Sequence, residues 1–470
     1  MLIYWQLDEL QQNEIISKAS LNFISQTLGL FTSSSPEEAH LNLRISSSCS
    51  EQLLNSALHL GETELLRKII YSLEFQNKPE TENNRMPCLD ELIKGVNKKI
   101  TDYCEQRNIP FIRKLPWSAG KPFAVALTHD VDLSRKYGLK RLGQLLLSRQ
   151  FKESKNGAIQ LISRKNSYWT FPEIIKLYRK KHWKATFYFL ARIREDCGFR
   201  YNINSPKFRS LFRDLLSEGH EIGLHTSKYA FDYPQRIVKE KKRLEKVLGI
   251  RAEGVRQHYL RLQFPEAWQI FEEAGFNYDT SSGFSEYSGF RAGTSFPFAA
   301  FNSAKNKLYQ LYEIPFSIMD YSCVHPQDSE ENNWQRFLEI AENVGKVGGL
   351  LNILWHPSNL AEPLFRPYWE RMLEWLEQQD FYQDTLQGII KWWKMRNQVN
   401  MKEVLFRDSG FDFTLSSEEN IQNLALEIHS APLIISEDKN VHLSRIDRKT
   451  SRVVIHKLNS GHNKFHFNYA

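Results

Sequence analysis

The sequence predicts an α/β protein: a closed or nearly closed (β/α) barrel of seven strands, with an α/β region before it and a small β-rich domain after it. Three observations predict this. From residue 121 to about 395, short apolar or β-rich runs alternate with helical stretches, a rhythm that demands parallel pairing because each crossover needs a helix. After "IIKWWKMRNQ" the composition shifts to short strands separated by polar turns. Before residue 119 the chain shows helical spacing broken by polar, Pro-containing segments.

Taken in order, residues 1–78 alternate short apolar patterns with polar breaks such as "TSSSPEEAH". The three- and four-residue apolar spacing of "EQLLNSALHLGETELLRKIIYSLEF", residues 51–75, predicts a helix. "QNKPETENNRMP" at 76–87 reads as a loop, and "LDELIKGVNKKITDYCEQRN" as a further helix leading through "IPFIRKLPW" to the first barrel strand. The barrel strands are "FAVALTHD", "KATFYFLA", "HEIGLHT", "GVRQHY", "YDTSSG", "LYEIPFSI" and "LLNILWHP". Between them "SPKFRSLFRDLLSEG", "PQRIVKEKKRLEKVLG" and "PEAWQIFEEAG" read as helices, with glycines that suit a helix C-cap. "KEVLFRD", "FDFTLS", "LALEIHS", "APLIIS" and "SRVVIHKL" follow as strands of a sandwich-like appendage. The expected units are an N-terminal accessory region at 1–118, the barrel at 119–398 and the β-rich appendage at 399–470.

Composition excludes several functions. A hydrophobic content of 41% with 13% aromatic residues is that of a folded globular chain. Sixty-two Lys and Arg against 55 Asp and Glu leave a net charge of +7, too dilute over 470 residues to imply nucleic acid. Acids at Asp8, Glu9 and Glu14 stand where a secretory signal would need a basic start. No run approaches the ~18 apolar residues of a membrane span, so no span and a cytoplasmic location are expected. Five dispersed cysteines, with no CxxC pair, read as reduced thiols.

Chemistry gathers where the barrel strands end. The first strand delivers Asp130 and Asp132, the third His225, the fourth Arg256, His258 and Tyr259, and the last His356. In a barrel, residues from the ends of several strands meet at one rim. A carboxylate and imidazoles converging there are the ligands of a zinc-class site, and a second carboxylate can act as base toward a water. His129 alternates away from its acidic neighbours and His220 sits at the opposite end of its strand from His225, so both read as structural.

In order, these residues form an aspartate motif ("THDVD"), a histidine motif ("GLHTSKY"), an Arg–x–x–Tyr motif ("RQHY"), "YDTS", and a late Leu–x–His motif ("LWHP"). Over roughly 120–395 this series resembles the polysaccharide deacetylases of the NodB-homology, carbohydrate esterase family 4 type. The resemblance implies a distorted (β/α) barrel that removes acetyl groups from an N-acetylated sugar or polysaccharide, with a divalent metal, zinc being the first choice. It further implies Asp130 as catalytic base, Asp132 and His225 as metal ligands, and Arg256 as the group holding Asp130 ionised. By the same carry-over the Tyr259 backbone N–H stabilises the oxyanion, His356 protonates the departing amine, and Asp279 orients a histidine.

One position departs from the pattern. The family usually carries a second histidine four residues after the first, and here that position is Tyr229. His258 stands where the family more often has Pro, so the missing imidazole is either supplied by His258 or absent. Two other readings stay open at this point: a glycan-binding or assembly protein on a decayed barrel, and a hydrolase of a non-sugar amide. The loop "SGFRAGTSFPF" at 288–298 either lines the pocket through Arg291 or is a structural turn.

Overall fold

The computed structural model describes residues 3–7, 14–32, 41–45, 58–59, 82–137, 139–162, 166–191, 201–429 and 434–469. Its central sheet is built from β1 (Ala124–Val131), β2 (Ala185–Leu190), β3 (Glu221–His225), β4 (Gly254–Arg256), β5 (Tyr278–Asp279), β6 (Phe298–Asn302), β7 (Lys307–Glu313), β8 (Ile318–Met319), β9 (Leu350–Leu354) and β10 (Tyr382–Gln383). The order is β6-β7-β5-β4-β3-β2-β1-β9-β8, with β10 also on β1, and every pairing but β6–β7 is parallel. β1, β2 and β3 are buried at every residue, as strands of a parallel sheet covered on both faces must be.

The run "LYEIPFSI" is expected as one strand and is instead shared between two neighbours. Its first half belongs to β7, beside β5; its end forms β8, beside β9. In between, Ile314 and Phe316 donate to the carbonyls of Asp279 and Ser282, while Ser317 donates to that of Asn352. Pro315 has no N–H to give and sits where the chain changes partner. This one segment thereby brings the two ends of the sheet together, and the seven expected strand positions make a distorted barrel.

Glycines shape the barrel interior. A Cβ on Gly223 would lie 2.4 Å from the Tyr188 ring, and one on Gly254 only 2.1 Å from the Tyr278 hydroxyl. The space they leave holds a polar stack: Tyr278 donates to Glu221 at 2.6 Å and Tyr188 donates to Tyr278 at 2.9 Å.

Helix Cys88–Gln106 forms where a helix is expected. Of the helix expected over 51–75, only Leu58–His59 lie within the described residues, and they form a strand beside Leu43 and Arg44; the remainder lies outside. In the expected loop at 76–87, Glu82–Arg85 form a 3-10 turn. The N-terminal strands Ile3–Leu7, Leu41–Ile45 and Leu58–His59 are parallel, and helix Glu14–Leu28 packs Phe23 against Phe298 of β6.

The C-terminal segment forms two four-stranded sheets. One of them takes a strand from before the barrel, Phe111–Lys114, antiparallel to Ile421–His429. Val441–Arg445 and Gly461–Tyr469 are strands that the sequence pattern does not announce. In the latter only Phe465 and Phe467 are buried, too few for a clear alternation. Among the described residues, Cys88, Cys104 and Cys323 are free thiols, and no helix is long and apolar enough to cross a membrane.

Candidate active site

The register carries the site. Asp130 stands opposite Tyr188, Leu190 opposite His225, and His225 opposite Arg256, so the C-terminal ends of β1, β3 and β4 meet at one level. His225 Nδ1 lies 2.9 Å from the Arg256 carbonyl oxygen, to which it donates, so Nε2 is the nitrogen turned toward the carboxylates. That Nε2 is 3.2 Å from Asp132 Oδ1 and 3.7 Å from Asp130 Oδ2. His258 Nε2 is 3.4 Å from the same Asp132 Oδ1.

Asp132, His225 and His258 each offer a ligand atom, and these atoms lie within 4.8 Å of one another. Neither ring nitrogen of His258 nor Asp132 Oδ1 has an aligned hydrogen-bond partner, although all three atoms are buried. Unpaired buried polar atoms are costly, so Asp132 Oδ1 and the His258 Nε2 that lies 3.4 Å from it fit a cation that would satisfy both. Carboxylate with two imidazoles suits a zinc-class cation. Burial pushes the Asp132 carboxyl up, but the His225 and His258 imidazoles outweigh it and hold it well below the usual range. At His225 the loss of solvation is outweighed by Asp130 and Asp132, which raise it, whereas at His258 burial prevails and lowers it.

Arg256, with no solvent exposure, fastens the second carboxylate. Its Nη1 donates to Asp130 Oδ1 at 3.0 Å and to Thr128 Oγ1 at 2.9 Å, while Nε and Nη2 donate to the carbonyl and hydroxyl of Thr280 at 3.0 and 3.1 Å. The Tyr188 ring lies beneath the guanidinium at 4.7 Å.

On the other side stands His356, whose Nε2 is 3.6 Å from Asp132 Oδ2. Its Nδ1 faces Asp320 at 2.9 Å, and its backbone N–H donates to the same carboxylate at 2.7 Å. Burial would lower the imidazole, but Asp320 overrides it and pushes it up to about 9. Asn359 Nδ2 also donates to Asp320 at 2.8 Å.

Asp320 corrects the expectation placed on Asp279. Asp279 pairs with Ser281 at 2.5 Å and lies opposite Glu313 in the β5–β7 register; none of its described partners is a histidine. Burial pushes it up to about 6. The acid beside His356 comes from "SIMDYS", just after β8, because β8 pairs with β9 and so delivers residue 320 next to residue 356. The available signal was an acid directly after a short apolar run, which is weak by itself.

Tyr229, at the position of the missing histidine, lies at the surface with the Lys228 and Arg261 cations over its ring. Tyr259 stacks on His258 at 4.2 Å and has a φ of +60°, a left-handed conformation that non-glycine residues rarely adopt. His129 bridges the Trp355 carbonyl and the Tyr178 hydroxyl, and burial pushes its imidazole down to about 3. His220 accepts from the Ala185 N–H, and burial leaves it near 4. Arg291 donates to the Gly283 carbonyl at 3.2 Å, on the segment just before its own loop.

Several solved structures and one family model are similar to parts of this chain. A candidate polysaccharide deacetylase from Mycobacterium smegmatis is 17% identical, with a TM-score of 0.42, covering 63% of this chain and 97% of its own. The PuuE allantoinase is 15% identical with a TM-score of 0.41, covering 59% and 92%. Another candidate deacetylase, from Pseudomonas aeruginosa, is 14% identical with a TM-score of 0.40, covering 59% and 93%. No curated protein sequence matches the chain. Residues 167–278, which include His225, Arg256 and His258, match the family model described as polysaccharide deacetylase.

Proposed function

We propose that the barrel hydrolyses the acetamide of an N-acetylated sugar or polysaccharide, with a divalent cation, zinc first, held by Asp132, His225 and His258. The observation that carries this reading is the convergence of those three ligand atoms within 4.8 Å, flanked by the Asp130–Arg256 and Asp320–His356 pairs. A bound cation supplies Lewis acidity toward the acetyl carbonyl and the attacking water.

The chain's own groups do the rest. Asp130 takes a proton from the attacking water, and Arg256 keeps it ionised and aimed. His356, oriented through Nδ1 by Asp320, gives a proton from Nε2 to the departing nitrogen. The Tyr259 backbone N–H stabilises charge on the carbonyl oxygen.

Acetate release from a panel of N-acetylated sugars and oligosaccharides tests this. Release that stops on chelation and returns with added zinc supports it; release indifferent to chelators sinks it. Glycan binding without bound metal or acetate release would replace it with the binding-protein reading. Release from non-sugar amides alone would move the substrate and keep the chemistry.

A further inference from the structure

The chain leaving β1 does not pass directly to the next barrel helix, Phe171–Lys181; it first builds a hairpin of helices Leu139–Leu147 and Phe151–Ile162. The base of this hairpin is fastened beside the mouth of the site. Lys136 Nζ and the Tyr168 hydroxyl both donate to Glu362 Oε1, at 2.8 and 2.6 Å, on the segment that follows His356. Within the hairpin the helices close on Gly157, where a Cβ would lie 2.5 Å from Leu142 Cδ2 and 2.7 Å from Tyr137 Cδ1.

The far side is apolar and exposed. Leu147 is 88% exposed, the highest value among the described large hydrophobic residues, with Phe151 at 64%, Leu146 at 54% and Ile159 at 53%. Around them the charge is one-sided: residues 135–165 contain nine Lys and Arg against a single acid, Glu153. Glu153 accepts from the Tyr137 hydroxyl at the hairpin's base. Among the described side chains Arg135, Arg149, Lys152 and Lys155 are exposed.

An apolar tip held out to water is unfavourable, and so is a block of mostly like charge. An anionic bilayer surface removes both costs, because the acyl boundary takes Leu and Phe while the headgroups meet Lys and Arg. We propose that this hairpin docks the protein peripherally on an anionic lipid surface. The proposal goes beyond the chemistry assigned to the site and does not depend on it.

Co-sedimentation of the full chain with vesicles of phosphatidylcholine alone, or of phosphatidylcholine mixed with phosphatidylglycerol, tests it. Binding is expected only to the mixed vesicles and to weaken with salt. Leu147→Glu with Phe151→Glu should lower it on the order of tenfold or more, and Lys152→Glu with Lys155→Glu should lower it as well. All four positions are exposed, so circular dichroism should be unchanged, and Asp130→Asn, which disables the proposed base, should bind like the parent. No binding to mixed vesicles, equal binding to neutral ones, or binding unaffected by the Leu147/Phe151 pair would overturn the proposal. So would dimerisation without vesicle binding that the same pair abolishes, which would assign the tip to a second copy of the chain.

Discussion

Two regions of this molecule bury full charges, and they treat them in opposite ways. At the seam where the N-terminal helix, the segment before β1 and helix Leu386–Gln398 meet, Arg396 donates to the carbonyls of Leu115, Gln26 and Lys114 at 2.7, 2.7 and 2.8 Å. Lys114 Nζ donates to the Val399 carbonyl at 2.8 Å. Burial pushes Arg396 down to about 9 and Lys114 well below its ordinary value, but each cation has backbone oxygens to hold it. At the mouth, Asp132 Oδ1 and both nitrogens of His258 are left without hydrogen-bond partners. The seam uses buried charge to join chain segments; at the mouth the ligand atoms of Asp132, His225 and His258 gather within 4.8 Å of one another instead.

The contrast can be broken by substitution. The largest effect is expected at the mouth: Asp130→Asn should reduce acetate release by roughly 10²–10⁴-fold while leaving bound metal and thermal unfolding close to the parent. A matching loss of stability would mean Asp130 serves the fold. His258→Ala should abolish stoichiometric metal binding, measured by elemental analysis, without lowering the unfolding temperature of the chelated protein. Retained metal would remove His258 from the ligand set.

At the seam the expectation inverts. Arg396→Met leaves three carbonyls without their donor and should cost about 3 kcal/mol in urea unfolding, with turnover per folded molecule unchanged. The smallest effect depends on pH. Burial favours the protonated form of Glu427, but Arg113 at 2.7 Å and His429 outweigh it and bring the carboxyl down to about 2. A carboxyl lowered on folding adds stability above its unfolded value near 4.5, and that stability is lost as pH falls from there toward 2. The loss should be on the order of 3 kcal/mol and absent in Glu427→Gln, read from unfolding midpoints across that window.

Much of the barrel was legible because its signals are local. β1, β2, β3 and β9 are strand-length runs dominated by apolar residues, and helices Pro206–Ser217, Pro234–Leu248 and Glu266–Glu273 carry their own apolar spacing and glycine stops. Where one run serves two neighbours, as at 307–319, periodicity registers an apolar stretch and is silent on its partners. Strand Phe111–Lys114 lies in what was legible only as a segment leading to the first barrel strand, and its partner is 314 residues away across the Arg113–Glu427 contact. The basic, apolar hairpin after β1 carried a plain charge imbalance, yet which of its leucines face water is a matter of packing.

The sequence by itself determined which residues could do chemistry and roughly which strand ends would carry them, since residue type and a period of 2 or 3.6 are properties of neighbours along the chain. Only the tertiary structure decided that His258 rather than Tyr229 stands with Asp132 and His225, and that Asp320 rather than Asp279 backs His356. Those choices follow from which strands lie side by side once the barrel closes. Closure is a property of the whole sheet, and no local stretch encodes it.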